Sequence, residues 1–383
     1  MIYLDSAATT AVRREVLEAM WPYLTGEFGN PSSHHELGES AKSTLDTARA
    51  EIAGILGCRA SEIIFTSGGT ESDNLAIKGI ALASPRGRHI VTTAIEHEAV
   101  LESCRYLERH HGFEITVVGV GADGLVNVAE IADALRPDTT LCTVMLANNE
   151  MGAVQPIEEI VRAAQARGIP VHTDAVQAAG WLPLDVAVLG IHALSLSGHK
   201  LGAPKGIGAL YVRGGTAIEP LVHGGGQERG RRSGTENVAS AVGLAVALRI
   251  AESSRVENAK RVTALRDDFI RDVLAAVPSA VLTGPVQDRL PASASFCFPG
   301  TSGESILLEL GRSGIVCSAG SACAVGDDEP SHVLLAMGIE PDVAQTAVRF
   351  GLSANSSEAD LQTVVAEISA AVDAVRGLGT NGL

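Results

Sequence analysis

Short apolar runs alternate with amphipathic stretches through the first two thirds of the chain. The runs at 62–66, 89–93, 114–118, 140–146, 170–173, 193–197 and 207–212 read as strands. Helical segments lie between several of them; across 156–166, Ile157, Ile160, Val161 and Ala164 recur at helical spacing. Strand–helix–strand alternation predicts an α/β fold with a mainly parallel, seven-stranded sheet covered on both faces. Past Val238 the pattern changes. A long helical run continues through Asp272, followed by strands at 294–298 and 314–317 and a final helix over 358–376. This predicts a large domain over 13–255. A smaller α+β domain would combine 1–12 with 256–383, because the first dozen residues precede the first helix of the large domain.

Composition agrees with two domains. The chain has 383 residues, 46% hydrophobic and 19% charged, enough to bury a large core. Its net charge of −16 argues against a nucleic-acid platform, and the densest basic cluster, Arg229, Arg231 and Arg232, is short. No apolar stretch approaches the roughly 18 residues of a membrane span, and no basic-then-apolar leader opens the chain. A cytoplasmic location is therefore expected. The six cysteines form no CxxC pair, and four of them lie in apolar or helical settings, as core thiols of a reducing compartment do.

Ligands of open parallel sheets sit at the carboxyl ends of strands, and four polar clusters stand there. They are Ser67-Gly68-Gly69-Thr70, Asn148-Asn149-Glu150, Asp174 with Gln177, and Ser197-Gly198-His199-Lys200. Each has a plainer reading: Asp174 as a helix cap, and the glycine run as an ordinary turn. Backbone N–H groups at a helix start nevertheless suit a phosphate. Neither a Walker A loop nor a GxGxxG turn is present.

Lysine is scarce, with only five in the chain, at 42, 78, 200, 205 and 260. A Schiff base requires a lysine shielded enough to offer a neutral amine. Lys42, Lys78 and Lys260 lie on helical stretches. Lys200 and Lys205 lie in Gly/Pro-rich loops, and Lys200 directly follows a strand beside Ser197 and His199. Pyridoxal phosphate needs such a lysine, and a carboxylate at its ring nitrogen, which Asp174 can supply. Cys323 sits in small, polar surroundings, Ser318-Ala319-Gly320-Ser321-Ala322-Cys323-Ala324-Val325-Gly326. On composition alone it is either a travelling nucleophile or an incidental exposed thiol. No neighbouring Cys/His set supports a metal site.

Together these segments resemble the cysteine desulfurases of the IscS/NifS type, a branch of the class V aminotransferases with the fold type I architecture of pyridoxal-phosphate enzymes. The resemblance runs nearly end to end. It includes Tyr3-Leu4-Asp5-Ser6-Ala7-Ala8-Thr9-Thr10, Gly29-Asn30-Pro31-Ser32-Ser33, Thr66 through Asn74, Glu96-His97 and Ala147 through Gly152. It continues with Ser197-Gly198-His199-Lys200, Gly224 through Arg229, Arg232-Ser233-Gly234-Thr235, Gly320-Ser321-Ala322-Cys323 and Val348-Arg349-Phe350-Gly351.

The resemblance implies a role for each matching residue. Lys200 would carry the pyridoxal 5'-phosphate and move the substrate α-proton, Asp174 would pair with the ring nitrogen, and Gln177 with the ring hydroxyl. His97 would stack on the ring and transfer protons. Gly69, Thr70, Ser197 and His199 would hold the phosphate, with Thr235 reaching that of the neighbouring subunit in a homodimer. Arg349 and Asn149 would bind the carboxylate of L-cysteine. Cys323 would accept the sulfur as a persulfide on a mobile loop, 318–332, for delivery to an acceptor protein in iron–sulfur assembly, tRNA thiolation or DNA sulfur modification. Ala324-Val325 and Asp327-Asp328-Glu329 depart from the hydroxyl-rich loops of housekeeping members, so the resemblance does not name that acceptor.

Overall fold

The computed structural model describes residues 1–84, 86–319 and 329–380. A two-residue strand, β1 (Ile2–Tyr3), opens the chain. Seven strands then form the large sheet: β2 (Ile63–Thr66), β3 (His89–Thr93), β4 (Glu114–Val118), β5 (Thr139–Thr143), β6 (Val171–Asp174), β7 (Ala193–Ser197) and β8 (Gly208–Val212). Their order is β2-β8-β7-β6-β5-β3-β4. The block from β4 to β7 is parallel, whereas β8 runs antiparallel to both β2 and β7. Every strand but the edge strand β4 is buried along its whole length. That burial explains why apolar residues are not confined to every second position, as in Ile63-Ile64-Phe65 of β2 and Ala209-Leu210-Tyr211-Val212 of β8.

Two local boundaries differ from expectation. The run predicted over 140–146 leaves the regular ladder at Thr143, yet Val144 and Leu146 still donate to the carbonyls of His172 and Asp174, at 3.2 and 2.8 Å. The helical run after Val238 is two helices, Val238–Ser253 and Arg255–Ala276, broken at Ser254.

Four helices precede β4: α1 (Arg14–Thr25), α2 (Glu36–Leu56), α3 (Gly69–Ala83) and α4 (Glu98–His111). Leu75, Ile77 and Ile80 of α3 and Val100 and Leu107 of α4 share an apolar cluster with Ile64, Ile90 and Leu210. Leu45, Ile52 and Leu56 of α2 join a second cluster with Phe65, Leu196 and the helix Val238–Ser253. Beneath α2, Arg49 donates to Glu228 through both terminal nitrogens, at 2.6 and 2.8 Å, with both side chains almost wholly buried. Arg49→Ala would strand the Glu228 carboxylate without its cation. Its expected cost is about 3–5 kcal/mol, read as a drop in urea-unfolding free energy.

The remaining strands are β9 (Val281–Leu282), β10 (Ser293–Cys297), β11 (Ile315–Val316), β12 (Ser318–Ala319) and β13 (Ala347–Gly351). The strand expected over 314–317 is the shorter β11, and a separate strand, β12, begins just past Cys317. A four-stranded sheet, β12-β13-β10-β9, pairs antiparallel throughout, while β1 pairs with β11. Leu4 enters an apolar cluster made otherwise of residues from Val262 onward. In it Phe269 meets Phe296 and Phe350 edge-on, with ring centroids 6.2 and 5.4 Å apart. The final helix, Glu358–Thr380, covers this cluster. Among the described residues, no helix is long and apolar enough to cross a membrane.

Candidate active site

Two structural demands shape the loop from β2 into α3. Gly68 holds φ 155° and ψ −176°, a conformation open essentially to glycine alone. A Cβ on Gly69 would come within 2.8 Å of Val176 Cγ2. Glycine is therefore required for the backbone to lie this close to the end of β6. Among the described residues no side chain caps the start of α3, so its first N–H groups suit an anion. Ser197 and His199 stand on the neighbouring turn, and Thr70 is exposed in the first turn of α3. Burial, followed by the charges of Lys200 and Lys205, lowers the His199 imidazole to about 4, so at neutral pH it is an uncharged ring.

Asp174 is the last residue of β6, opposite Ser195 of β7. One of its oxygens accepts the Val176 N–H at 2.8 Å, the turn-capping role that the sequence allowed. Burial raises its pKa, while His97 and the Lys200 cation pull it down. A cation placed against this carboxylate would be strongly favoured. His97 caps α4: its Nδ1 accepts the Ala99 N–H at 3.1 Å, which assigns the ring proton to Nε2 when the ring is neutral.

The N-terminal segment ties these groups together. Lys200 Nζ donates to the Ala8 carbonyl at 2.8 Å and also to that of Ala7, and Gln177 Nε2 donates to the Ala7 carbonyl at 2.9 Å. Thr9 Oγ1 lies 3.1 Å from His199 Nδ1, and Thr10 donates through both N–H and hydroxyl to the His199 carbonyl. At the other end Asp5 pairs with Arg349, which is buried on β13. Arg349 Nη1 donates to the Asn149 carbonyl at 2.9 Å. Asn148 shapes that turn by accepting from the N–H groups of Glu150 and Met151, and its amide donates to the Ile95 carbonyl. A cleft of about 440 Å³ is lined by Lys200, Gln177, Asn149, Ser6, Ser353 and Asp360 among others.

Of the residues expected at the site, Lys200, Gln177 and His199 share the N-terminal segment, and Asn149 is joined to it through Arg349 and Asp5. Asp174 is coupled by charge to His97 and Lys200. Gly69 packs on Ser197 and Val176. Thr235 stands apart, exposed on the loop ahead of the helix Val238–Ser253. Cys323 lies outside the described residues. The chain before it is fixed at β12, where Ser318 faces Arg349 in register. The chain after it is held where Ser331 Oγ donates to Glu150 at 2.5 Å and His332 Nε2 meets the Glu96 carbonyl at 3.0 Å.

Sequence reasoning gave no individual role to Asp5, Asp73 or Glu96. Asp73 is buried beneath the β6–β7 ends, and its Oδ1 lies 3.7 Å from His172 Nε2. Glu96 is wholly buried just before His97. Its carboxyl accepts the Thr93 hydroxyl at 2.7 Å and the Met145 N–H at 3.0 Å, and burial pushes it up to about 8. The folded chain thus holds a proton on Glu96 that the unfolded chain loses near 4.5. Stability therefore falls as pH rises between those values, by about 1.4 kcal/mol per pH unit from this group. Glu96→Gln keeps an acceptor for both donors, and its unfolding free energy is expected to depend less steeply on pH between about 5 and 8. Denaturant titrations across that range check it.

An anion cradle at a bare helix start, a buried carboxylate suited to a ring cation and a shielded lysine at the adjoining strand end together fit pyridoxal phosphate. The comparisons with known proteins agree. The pattern of the "Aminotransferase class-V" family matches residues 2–364. A protein of Dictyoglomus turgidum named cysteine desulfurase IscS is 46% identical over 98% of this chain and 95% of its own length. Among solved structures, a NifS-like protein superposes with a TM-score of 0.91 at 38% identity, covering 97% of this chain and 99% of that one. SspA, solved in complex with cysteine, gives a TM-score of 0.81 at 38% identity over 92% of this chain and 99% of its own.

Proposed function

Because this chain belongs to the class-V aminotransferase family, and within it to the cysteine desulfurases, we propose that the residues gathered at its strand ends perform that chemistry. The enzyme depends on pyridoxal phosphate and converts L-cysteine to L-alanine, passing the sulfur onward. The observation that carries the assignment of roles is the convergence of Lys200 after β7, Asp174 at the end of β6 and the bare start of α3, where Gly69 lies against Ser197 and Val176.

Gly69, Thr70, Ser197 and His199 hold the phosphate, Asp174 the ring nitrogen and Gln177 the ring hydroxyl, with Lys200 as the covalent anchor. When bound, the cofactor supplies an electron sink for the pair left behind as the substrate α-proton departs. Arg349 grips the substrate carboxylate, with Asn149 beside it, and so fixes the α-carbon relative to Lys200. Lys200 Nζ, now held between two carbonyls, exchanges the α-proton. His97 would stack on the ring of the bound cofactor, and with Nδ1 engaged by the Ala99 N–H it offers Nε2 for proton transfer. The Cys323 thiolate attacks the substrate sulfur. An S–S bond forms, the C–S bond breaks, and its electron pair returns to the carbon skeleton, which is protonated and leaves as L-alanine.

Two further features support a homodimer. Leu17, Trp21 and Leu24 line one exposed face of α1, with exposed Phe28 just beyond, an apolar stripe that a second copy would cover. Thr235 faces outward, as a residue serving the neighbour's phosphate must. The acceptor is a protein able to meet the Cys323 loop. We take the small domain to be 1–12 with 256–383, because its apolar cluster is built from Leu4 and from residues beginning at Val262.

Borohydride reduction of the loaded protein tests the anchor, because it fixes the cofactor to whichever lysine carries it. Attachment to the peptide containing Lys200 is the expected result; attachment at Lys205 alone would refute the assignment.

A further inference from the structure

Arg349 grips the substrate carboxylate in the proposed reaction, and the role inferred for Asp5 rests on that reading. The Arg349 guanidinium already has partners. Nη2 donates to Asp5 Oδ1 at 3.0 Å and Nη1 to the Asn149 carbonyl at 2.9 Å. The Arg349 side chain is 4% exposed and that of Asp5 18%, so water screens the pair weakly. Nε is buried and has no hydrogen-bond partner among the described residues. A guanidinium binds a carboxylate through two parallel N–H groups along one edge. The edge that includes Nε still has a donor to give.

Asp5 is not free to swing away. Its backbone bridges to Gly351, and the Tyr3 hydroxyl donates to the carbonyls of Asp5 at 3.2 Å and Thr9 at 2.8 Å. The segment lies so close to β13 that a Cβ on Gly351 would come within 2.7 Å of the Ala7 nitrogen. A bound amino acid therefore shares Arg349 with a fixed second carboxylate.

We infer that Asp5 is a positioning residue acting through Arg349, with two linked effects. It turns the guanidinium so that the Nε edge meets the substrate carboxylate. Its charge also repels that carboxylate and so limits how tightly substrate and product are held. L-Alanine keeps the carboxylate of L-cysteine, so the same repulsion speeds its departure. The cost in binding is set by an aspartate on a different segment from the arginine it tunes.

Asp5→Asn keeps an acceptor for Nη2 and removes the charge. Titration of the holoenzyme with L-alanine, followed by the visible cofactor band, is expected to show binding about tenfold tighter than wild type. KM for L-cysteine should fall with it, while kcat stays level or drops as product release slows. Asp5→Ser also removes the charge, and should tighten L-alanine binding too. A residue with a merely structural role would weaken binding when replaced. Arg349→Gln separates the role of Asp5 from that of its partner. If it abolishes L-alanine binding while neither Asp5 variant tightens it, the role given to Asp5 is overturned and that of Arg349 stands. If Arg349→Gln binds L-alanine like wild type, the role of Arg349 itself fails.

Discussion

Cys323→Ser is expected to end sulfur transfer, leaving release of sulfide from L-cysteine below about a thousandth of the wild-type rate. Serine matches the thiol in size, but its hydroxyl does not ionise near neutral pH, and only the anion is the nucleophile. Lys200 and Asp174 are untouched, so the visible band of the bound cofactor should remain and still respond to added L-cysteine. That combination separates loss of the acceptor from loss of the cofactor. Assaying sulfide and alanine beside the absorbance spectrum checks it, and unchanged turnover would sink the role given to Cys323. The anchors on either side favour a thiol serving this site. Before it, β12 pairs with the strand of Arg349; after it, Ser331 and His332 dock on Glu150 and the Glu96 carbonyl, next to His97.

Asp174→Ala is expected to lower kcat/KM by about a thousandfold. The carboxylate is buried, so its interaction with a protonated ring nitrogen is poorly screened, and removing it leaves the ring unable to hold that proton. Its remaining partner, the Val176 N–H, would also lose its acceptor, but a lost turn bond by itself costs only about 1 kcal/mol. Asp174→Asn separates the two effects: it retains an acceptor for Val176 and removes the charge. Near-equal losses in the two variants would assign the effect to charge. Recovery of most activity in Asp174→Asn would assign it to the turn.

The sequence made much of this arrangement legible, for reasons particular to the elements concerned. Six of the seven large-sheet strands are buried on both faces, which favours adjacent apolar residues such as Ile63-Ile64-Phe65 and Ile90-Val91 and makes those strands stand out. Lys200 stood out because lysine is rare here and this one follows a strand. The sequence pattern puts Asp174 one residue beyond the strand it in fact ends, which leaves its side chain at the same opening. The long helix after Val238 hid its break, because Ser254 interrupts the helix without the proline or glycine that would mark it. Asp5 lies in a stretch that carries the family resemblance, but nothing local marks its carboxylate as the partner of Arg349. Its partner Arg349 is far along the chain, and the pairing exists only because β1 pairs with β11 and brings the N-terminal segment beside β13. Glu96 was hidden for a related reason: the Met145 N–H that holds it comes from beyond β5. Carboxyls buried by the fold are not distinguishable by spacing from those left in water.

The central claim is that one chain both cleaves L-cysteine and captures its sulfur. It is tested most directly by mixing the loaded enzyme with substoichiometric L-cysteine and no reductant, then measuring alanine and the mass of the Cys323 peptide. The expected result is one added sulfur atom on that peptide for each alanine released. Alanine released with the Cys323 peptide unchanged in mass would contradict it.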